Sequence, residues 1–214
     1  MDKPLSLFGI PMSSSFVLHA ACLEAGLPHT LRWVDRAKKT LEDGTPYLSV
    51  IPKGMVPALV LDDGTSLTET AAVLQYVADQ APASKLAPAA GTNARYHLAA
   101  WLNFVTSELH AKHLGPIFGR TTPDAIKHRA RDLVVQPLGI VASHLEGRST
   151  LLDDFTVADI YLFWTLFALP YGNVPLDRWP ALGAFVAKHR ERPAIQQALA
   201  IEGPLYLAEQ KRAA

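Results

Sequence analysis

The chain has 214 residues, balances 20 Lys and Arg against 20 Asp and Glu, and is 49% apolar. At roughly 150 residues per domain that length fits one or two domains, and the apolar share excludes a disordered chain. Zero net charge points to neither nucleic acid nor an anionic membrane as the main partner, and one cysteine forms no internal disulfide, which fits a reducing compartment. The longest apolar stretch, residues 160–171, is shorter than the about 20 residues a spanning helix needs. Met1-Asp2-Lys3-Pro4 lacks a net-positive region, and Pro11 and three serines break the apolar run that follows. No signal peptide is expected, and Ala20-Ala21-Cys22 is only a faint lipoprotein signal. The expectation is a cytoplasmic globular protein.

In chain order, residues 4–80 read as a mixed α/β unit. Residues 4–10 are strand-like. Ser13-Ser14-Ser15 offers N-cap hydroxyls to a helix running to about Ala25, closed by Gly26 and Pro28. Residues 29–35 form a second predicted strand, followed by a charged, irregular stretch over 36–54. Pro57-Ala58-Leu59-Val60-Leu61, the turn Asp62-Asp63-Gly64 and Ser66-Leu67-Thr68 predict an antiparallel hairpin. Ala71, Val73, Leu74, Val77 and Ala78 recur at helical spacing over 70–80.

Residues 82–93, PASKLAPAAGTN, read as a linker between domains. Beyond it the spacing predicts helices over about 94–113, 123–146, 156–169, 180–191 and 193–200. Thr156-Val157-Ala158-Asp159 has the spacing of a capping box, with Phe155 and Ile160 as its hydrophobic staple. The predicted layout is an α/β domain over 1–81, the linker, and an all-helical domain over 94–214.

Several segments carry residues suited to chemistry. Pro57 follows a Gly-containing loop and opens a strand, which suggests a fixed backbone shape, a cis bond among the options. Pro57 has no N–H, so Val56 would keep backbone groups free for an extended peptide ligand; an ordinary loop-to-strand turn is the plainer reading. Glu69-Thr70 stands at a strand-to-helix junction. There a helix N-terminus with a hydroxyl and a carboxylate would hold an amino-acid zwitterion, unless Thr70 merely caps the helix. Ser13-Ser14-Ser15 would stabilise a thiolate or other anion, or simply cap. No G-x-S-x-G elbow supports an alcohol nucleophile.

Asn103, Ser107 and His110 are spaced i, i+4, i+7 and would share one helix face as a ligand wall. His110 and His113 also have a metal-like spacing, but no third ligand follows, so no metal is expected. A satisfied core histidine is the plainer reading of His110. Cys22, about two turns past Ser14 among Val17, Leu18, Ala21 and Leu23, reads as a buried, inert thiol.

Together these stretches resemble a cytosolic glutathione S-transferase, nearest to the bacterial beta class. The resemblance rests on Leu7-Phe8…Pro11, Glu24-Ala25-Gly26, Pro52-Lys53-Gly54-Met55-Val56-Pro57-Ala58-Leu59, residues 62–69, Trp101-Leu102-Asn103-Phe104…Glu108-Leu109-His110 and Phe155-Thr156-Val157-Ala158-Asp159. It implies a thioredoxin-like first domain, an all-α second domain and a homodimer. It implies that Pro57 is cis, and that Val56 pairs with the cysteinyl part of glutathione. Glu69 and Thr70 would hold the γ-glutamyl end and Lys39 the glycyl carboxylate, with Asn103 and His110 lining the site from the helical domain.

Two departures stand out. The family usually carries Tyr where this chain has Gly9, and the beta class usually has Cys where this chain has Ser14. A serine forms no mixed disulfide, so thiol–disulfide exchange is excluded at that position. Ile51 replaces a frequent Asn, a change expected to affect only local loop structure.

The implied activity is conjugation of glutathione to a small electrophile in the cleft between the domains. Ser14 would lower the thiol pKa, with Ser13 or Ser15 as substitutes after a one-residue shift. His110 would assist the anion if protonated, or orient the ligand. Phe104, Phe118 and Trp164 would shape the electrophile site. A glutathione-dependent reductase or isomerase, or a non-catalytic ligand binder, is the alternative on the same scaffold. Glutathione is the one co-substrate implied, with no metal, nucleic acid or membrane.

Overall fold

A computed structural model describes residues 4–213. Two compact units emerge, one within Met1–Leu86 and Arg192–Ala214, the other Ala87–Glu191.

The first unit holds strands β1 (Leu5–Gly9), β2 (His29–Trp33), β3 (Ala58–Val60) and β4 (Ser66–Thr68) in the sheet order β2-β1-β3-β4. β1 pairs parallel with β2, Leu7 opposite Leu31, and antiparallel with β3, Leu7 opposite Leu59. A parallel pair needs a crossover, and helix α1 (Ser15–Glu24) supplies it. The sequence is apolar nearly all round α1, and the structure buries it from Ser15 to Cys22. Helix α2 (Tyr47–Val50) is one turn inside the stretch expected to be irregular, and α3 (Thr70–Gln80) matches the predicted helix. A short 3-10 turn, Pro82–Ser84, opens the predicted linker. Thioredoxin-like topology is therefore present.

A second core lies under the loops of this unit. Phe8, Ile10, Val34, Leu41, Tyr47, Ile51 and Ala58 form it, with Val56 packed against it. Ile51 is fully buried there, which accounts for an apolar residue at that loop position.

The second unit is helical: α4 (Asn93–Phe104), a π-helix (Val105–Leu114), α5 (Gly115–Phe118), α6 (Asp124–Leu133), α7 (Val135–His144), α8 (Val157–Ala168) and α9 (Pro180–Arg190). The helix predicted over 94–113 thus changes winding at Val105, where the Thr106 hydroxyl donates to the Leu102 carbonyl and competes with the main-chain ladder. The helix predicted over 123–146 divides at Val134, because Pro137 has no N–H for the Leu133 carbonyl. α8 is apolar on every side and buried from Val157 to Leu166, as such a helix must be.

The C-terminal helix α10 (Pro193–Ala213) departs most from expectation. Gly203 and Pro204 suggest a stop, yet the helix runs through them and packs with α1 in the first unit. Residues 192–214 therefore group with the α/β unit and not with the helical segment that precedes them.

The capping box is formed as the sequence predicts. The Asp159 carboxylate accepts from the Thr156 N–H at 2.8 Å, the Thr156 hydroxyl at 3.0 Å and the Leu151 N–H at 2.7 Å. Burial pushes its pKa up to about 6, and the three donors only partly offset that. The unfolded value is about 3.9, so between the two the native state holds the extra proton. The Asp159 contribution to stability therefore falls as pH rises through this window. Denaturant midpoints should show that slope in the wild type and lose it in Asp159→Asn. Asp159→Ala, which leaves buried donors unpaired, should cost about 1–3 kcal/mol in the same unfolding curves.

Candidate functional site

The turn between β1 and α1 assigns three adjacent serines different partners. Ser15 donates to the Ile10 carbonyl at 2.9 Å and accepts from the Ile10 N–H at 3.0 Å. Ser13 donates to the same carbonyl at 2.7 Å and lies 3.0 Å from the Ser15 hydroxyl. Both hydroxyls belong to the turn. Ser13 supplies the expected capping hydroxyl, accepting from the Ser15 N–H at 3.3 Å, while Ser14, at the N-cap position, makes no side-chain cap bond and its hydroxyl donates to the Val56 carbonyl at 3.2 Å. Ser14 alone of the three is turned toward the Val56 loop.

The Val56–Pro57 peptide is cis. Val56 lies before the paired part of β3, so its backbone is outside the ladder. Tyr47 holds the approach to it: the ring is fully buried and its hydroxyl donates to the Met55 carbonyl at 2.8 Å. Burial raises the Tyr47 pKa well above the ordinary phenol value, so it remains a neutral donor.

Glu69 precedes α3 with φ of 72°, a left-handed conformation that is uncommon outside glycine and clusters at ligand sites. Its carbonyl accepts from the Ala72 and Val73 N–H groups, while its side chain faces solvent beside Lys53 Nζ at 3.2 Å. An exposed pair of this kind is worth little and yields readily to a better partner. Thr70 begins the helix, buried, and makes no capping bond, so the plain capping reading fails here. Lys39 has φ of 54°; its N–H donates to Asp35 and its carbonyl accepts from Tyr47, leaving an exposed side chain on a fixed backbone.

In the helical unit, the three expected wall residues differ in surroundings. Asn103 ends α4 and is exposed; Ser107, also exposed, lies in the π-helix and donates to Glu108 at 3.1 Å. His110 turns inward, its Nδ1 at 2.7 Å from the Tyr161 hydroxyl and its ring 5.0 Å from Trp164. Burial lowers the His110 pKa to about 4, so it is neutral near pH 7 and the protonated role falls away. Trp164 is buried, Phe104 half-buried and Phe118 exposed.

Among the described residues no group of three His, Cys, Asp or Glu is placed to hold a metal, and no helix is long and apolar enough to cross a membrane. Cys22 is fully buried and its pKa is pushed up to about 12. The sequence pattern left three residues unnoticed: Tyr47, His19 and Glu202. His19 Nδ1 lies 2.8 Å from Glu202 Oε1, and Glu202 Oε2 accepts from the Met12 N–H at 2.8 Å. Their signal was a charged or polar residue in line with an apolar stripe, Glu202 following Ile195 and Ala198.

Gly9 explains one departure. A Cβ there would stand 2.7 Å from Ser15 Oγ and 2.9 Å from Ser15 Cβ, and Ser15 is fixed by its bonds to Ile10. The turn in this chain leaves no room for a side chain at position 9.

The chain matches the family described as "Glutathione S-transferase, N-terminal domain" over residues 12–80. It is 38% identical over 200 residues to Glutathione S-transferase GstA of Escherichia coli O157:H7, covering 93% of this chain and 99% of that protein. A sphingomonad glutathione S-transferase complexed with glutathione is similar at 41% identity and a TM-score of 0.88, covering 92% of this chain and 98% of that one. A bacterial beta class glutathione S-transferase from Sphingomonas chungbukensis is similar at 38% identity and a TM-score of 0.89, over 92% and 98%.

Two outcomes test this geometry. Gly9→Ala should lower stability by about 1–3 kcal/mol in denaturant unfolding, as overpacking does, and Gly9→Tyr more. Cys22 should react with a maleimide only at the rate of unfolding, followed by mass spectrometry in rising denaturant.

Proposed function

The chain belongs to the glutathione S-transferase family, and we propose that it conjugates glutathione to small electrophiles, with Ser14 as the group that activates the thiol. The observation that carries this reading is the Ser14 hydroxyl at 3.2 Å from the Val56 carbonyl. A cysteinyl residue paired along the Val56 backbone brings its sulfur to that hydroxyl. On binding, the cysteinyl N–H takes the Val56 carbonyl, and Ser14 turns its one O–H from that carbonyl to the thiolate, with the positive end of α1 adding to the effect. Together they lower the thiol pKa by about 1–2 units, enough to ionise much of it at neutral pH.

The γ-glutamyl end is placed by Glu69 and Thr70. The ammonium replaces Lys53 beside Glu69, and the α-carboxylate takes the Thr70 hydroxyl and the open N–H groups of the first turn of α3. Lys39 supplies a cation for the glycyl carboxylate. With chlorodinitrobenzene, the sulfur forms a bond to the ring carbon, and the C–Cl bond breaks with loss of chloride. The proton leaves from the thiol to solvent. His110 takes part as a neutral hydrogen-bonding group, and Asn103 and Ser107 as polar groups of the helical unit; no metal is involved.

We further propose a cytoplasmic homodimer. Exposed Ile140 lines a groove of about 210 Å³ with His97, Ala100, Trp101 and Phe104, a face suited to a second copy. Light scattering should give twice the chain mass, shifting toward the monomer in Ile140→Arg.

Calorimetric titration with reduced glutathione should show one saturable site per chain, and chlorodinitrobenzene should be turned over. Ser14→Ala should cut kcat/KM about tenfold or more and raise the pH midpoint of turnover, with little change in glutathione affinity. Unchanged turnover in Ser14→Ala would reject Ser14 as the activating group.

A further inference from the structure

A cavity of about 350 Å³ opens within the helical unit, between α7 and the entry to α9. Helix α7 contributes Gly139, Ala142 and Ser143 to its lining, and Glu146 lies just past the end of that helix. Arg178 and Trp179, the two residues ahead of α9, complete it. The volume is in the range of small-molecule sites. None of these groups takes part in the thiol chemistry proposed above.

Gly139 shows that the space is kept open. Glycine lowers helix stability relative to alanine, so a glycine inside α7 needs a reason. Its φ is not positive, and a Cβ built there would meet no atom within 4 Å. Neither the backbone nor the packing of the protein calls for glycine at this position. A side chain at 139 would instead take up cavity space.

The polar groups show what the space suits. The Arg178 guanidinium lies over the Trp179 ring, 5.5 Å from its centroid, which sets a cation beside an aromatic surface. Glu146 brings a carboxylate to the same cavity. Among the described residues neither Arg178 nor Glu146 has an ion-pair partner, so the two opposite charges line one space without pairing. Two such charges around an aromatic wall complement a ligand that carries both charges and a ring.

We propose that this cavity binds a small aromatic zwitterion, of the aromatic α-amino acid type. The ring rests against the Trp179 indole and the Gly139–Ala142 wall. The carboxylate takes the N–H fork of Arg178, and the ammonium pairs with Glu146.

The test titrates L-phenylalanine, phenethylamine and hydrocinnamate separately into isotope-labelled full-length protein, followed by magnetic resonance. L-Phenylalanine should move the Trp179 indole N–H signal, identified by its loss in Trp179→Phe, and saturate one site per chain. It should bind about fivefold more tightly than either analogue, each of which lacks one charge. Arg178→Gln should weaken L-phenylalanine about fivefold and leave phenethylamine unchanged. Glu146→Gln should weaken L-phenylalanine similarly and leave hydrocinnamate unchanged. Gly139→Leu should abolish binding of all three without lowering the thermal midpoint.

Arg178 and Glu146 are exposed, so their variants decide the matter where Gly139→Leu does not fold. An indole signal that none of the three moves at tens of millimolar overturns the proposal. So does equal affinity for all three, or binding that survives a folded Gly139→Leu. Displacement of L-phenylalanine by stoichiometric glutathione also overturns it, because the amino acid would then occupy the glutathione site.

Discussion

The Ile10 carbonyl accepts hydrogen bonds from both Ser13 and Ser15, and the geometry of the first unit's site follows from that shared acceptor. Two neighbouring hydroxyls converge on one oxygen only if the chain between them turns back sharply. The turn then places Ser14 on the outside, free of Ile10. It also brings Ser15 so close to Gly9 that a side chain at position 9 has no space. The space a Cβ at position 9 would need is taken by a hydroxyl that satisfies the end of β1. An unpaired Ile10 amide in this buried turn would cost about 1–3 kcal/mol, and Ser15 is what pairs it.

The same unit uses two buried polar side chains to hold loops that lack regular structure. Tyr47 reaches up from the second core to the Met55 carbonyl, and Glu202 reaches from α10 to the Met12 amide. Each fixes a backbone group one or two residues before a residue assigned to glutathione, Val56 in one case and Ser14 in the other. A loop held by hydrogen bonds from a packed core loses less entropy on binding than one ordered only by its ligand. Glu69 and Lys39 reach a comparable result differently, each set in a left-handed backbone conformation by the hydrogen bonds around it.

Local signals carried most of the fold. The period of α3, the Asp-Asp-Gly hairpin turn and the Thr156–Asp159 capping box are each decided within a few residues, and each is present as its pattern predicts. What was not legible depends on contacts distant in sequence or on helix winding. Met12 and Glu202 are separated by 190 residues, and no local pattern pairs them. Gly203 and Pro204 look like a helix stop, but packing of α10 against α1 outweighs their propensity. The change from α to π winding at Val105 had no sequence pattern to announce it. The choice among three serines could not be read either, since a one-residue shift exchanges them; only the partners of Ser13 and Ser15 separate them.

The chain's cysteine content limits the chemistry further. Its one cysteine is Cys22, fully buried, with a pKa pushed up to about 12. At neutral pH that thiol gives almost no thiolate, and the thiolate is the reactive form. Ser14 has an alcohol where a thiol would form a mixed disulfide, and an alcohol does not exchange with disulfides. The protein therefore has no sulfur nucleophile of its own to offer, so the reactive thiolate has to arrive on the ligand. Under that constraint, a hydroxyl on the Val56 backbone suits stabilisation of a borrowed thiolate better than nucleophilic attack. If Ser14 is that donor, as proposed, catalysis depends on its position and direction, and the bonds that fix the turn around it matter as much as Ser14 itself.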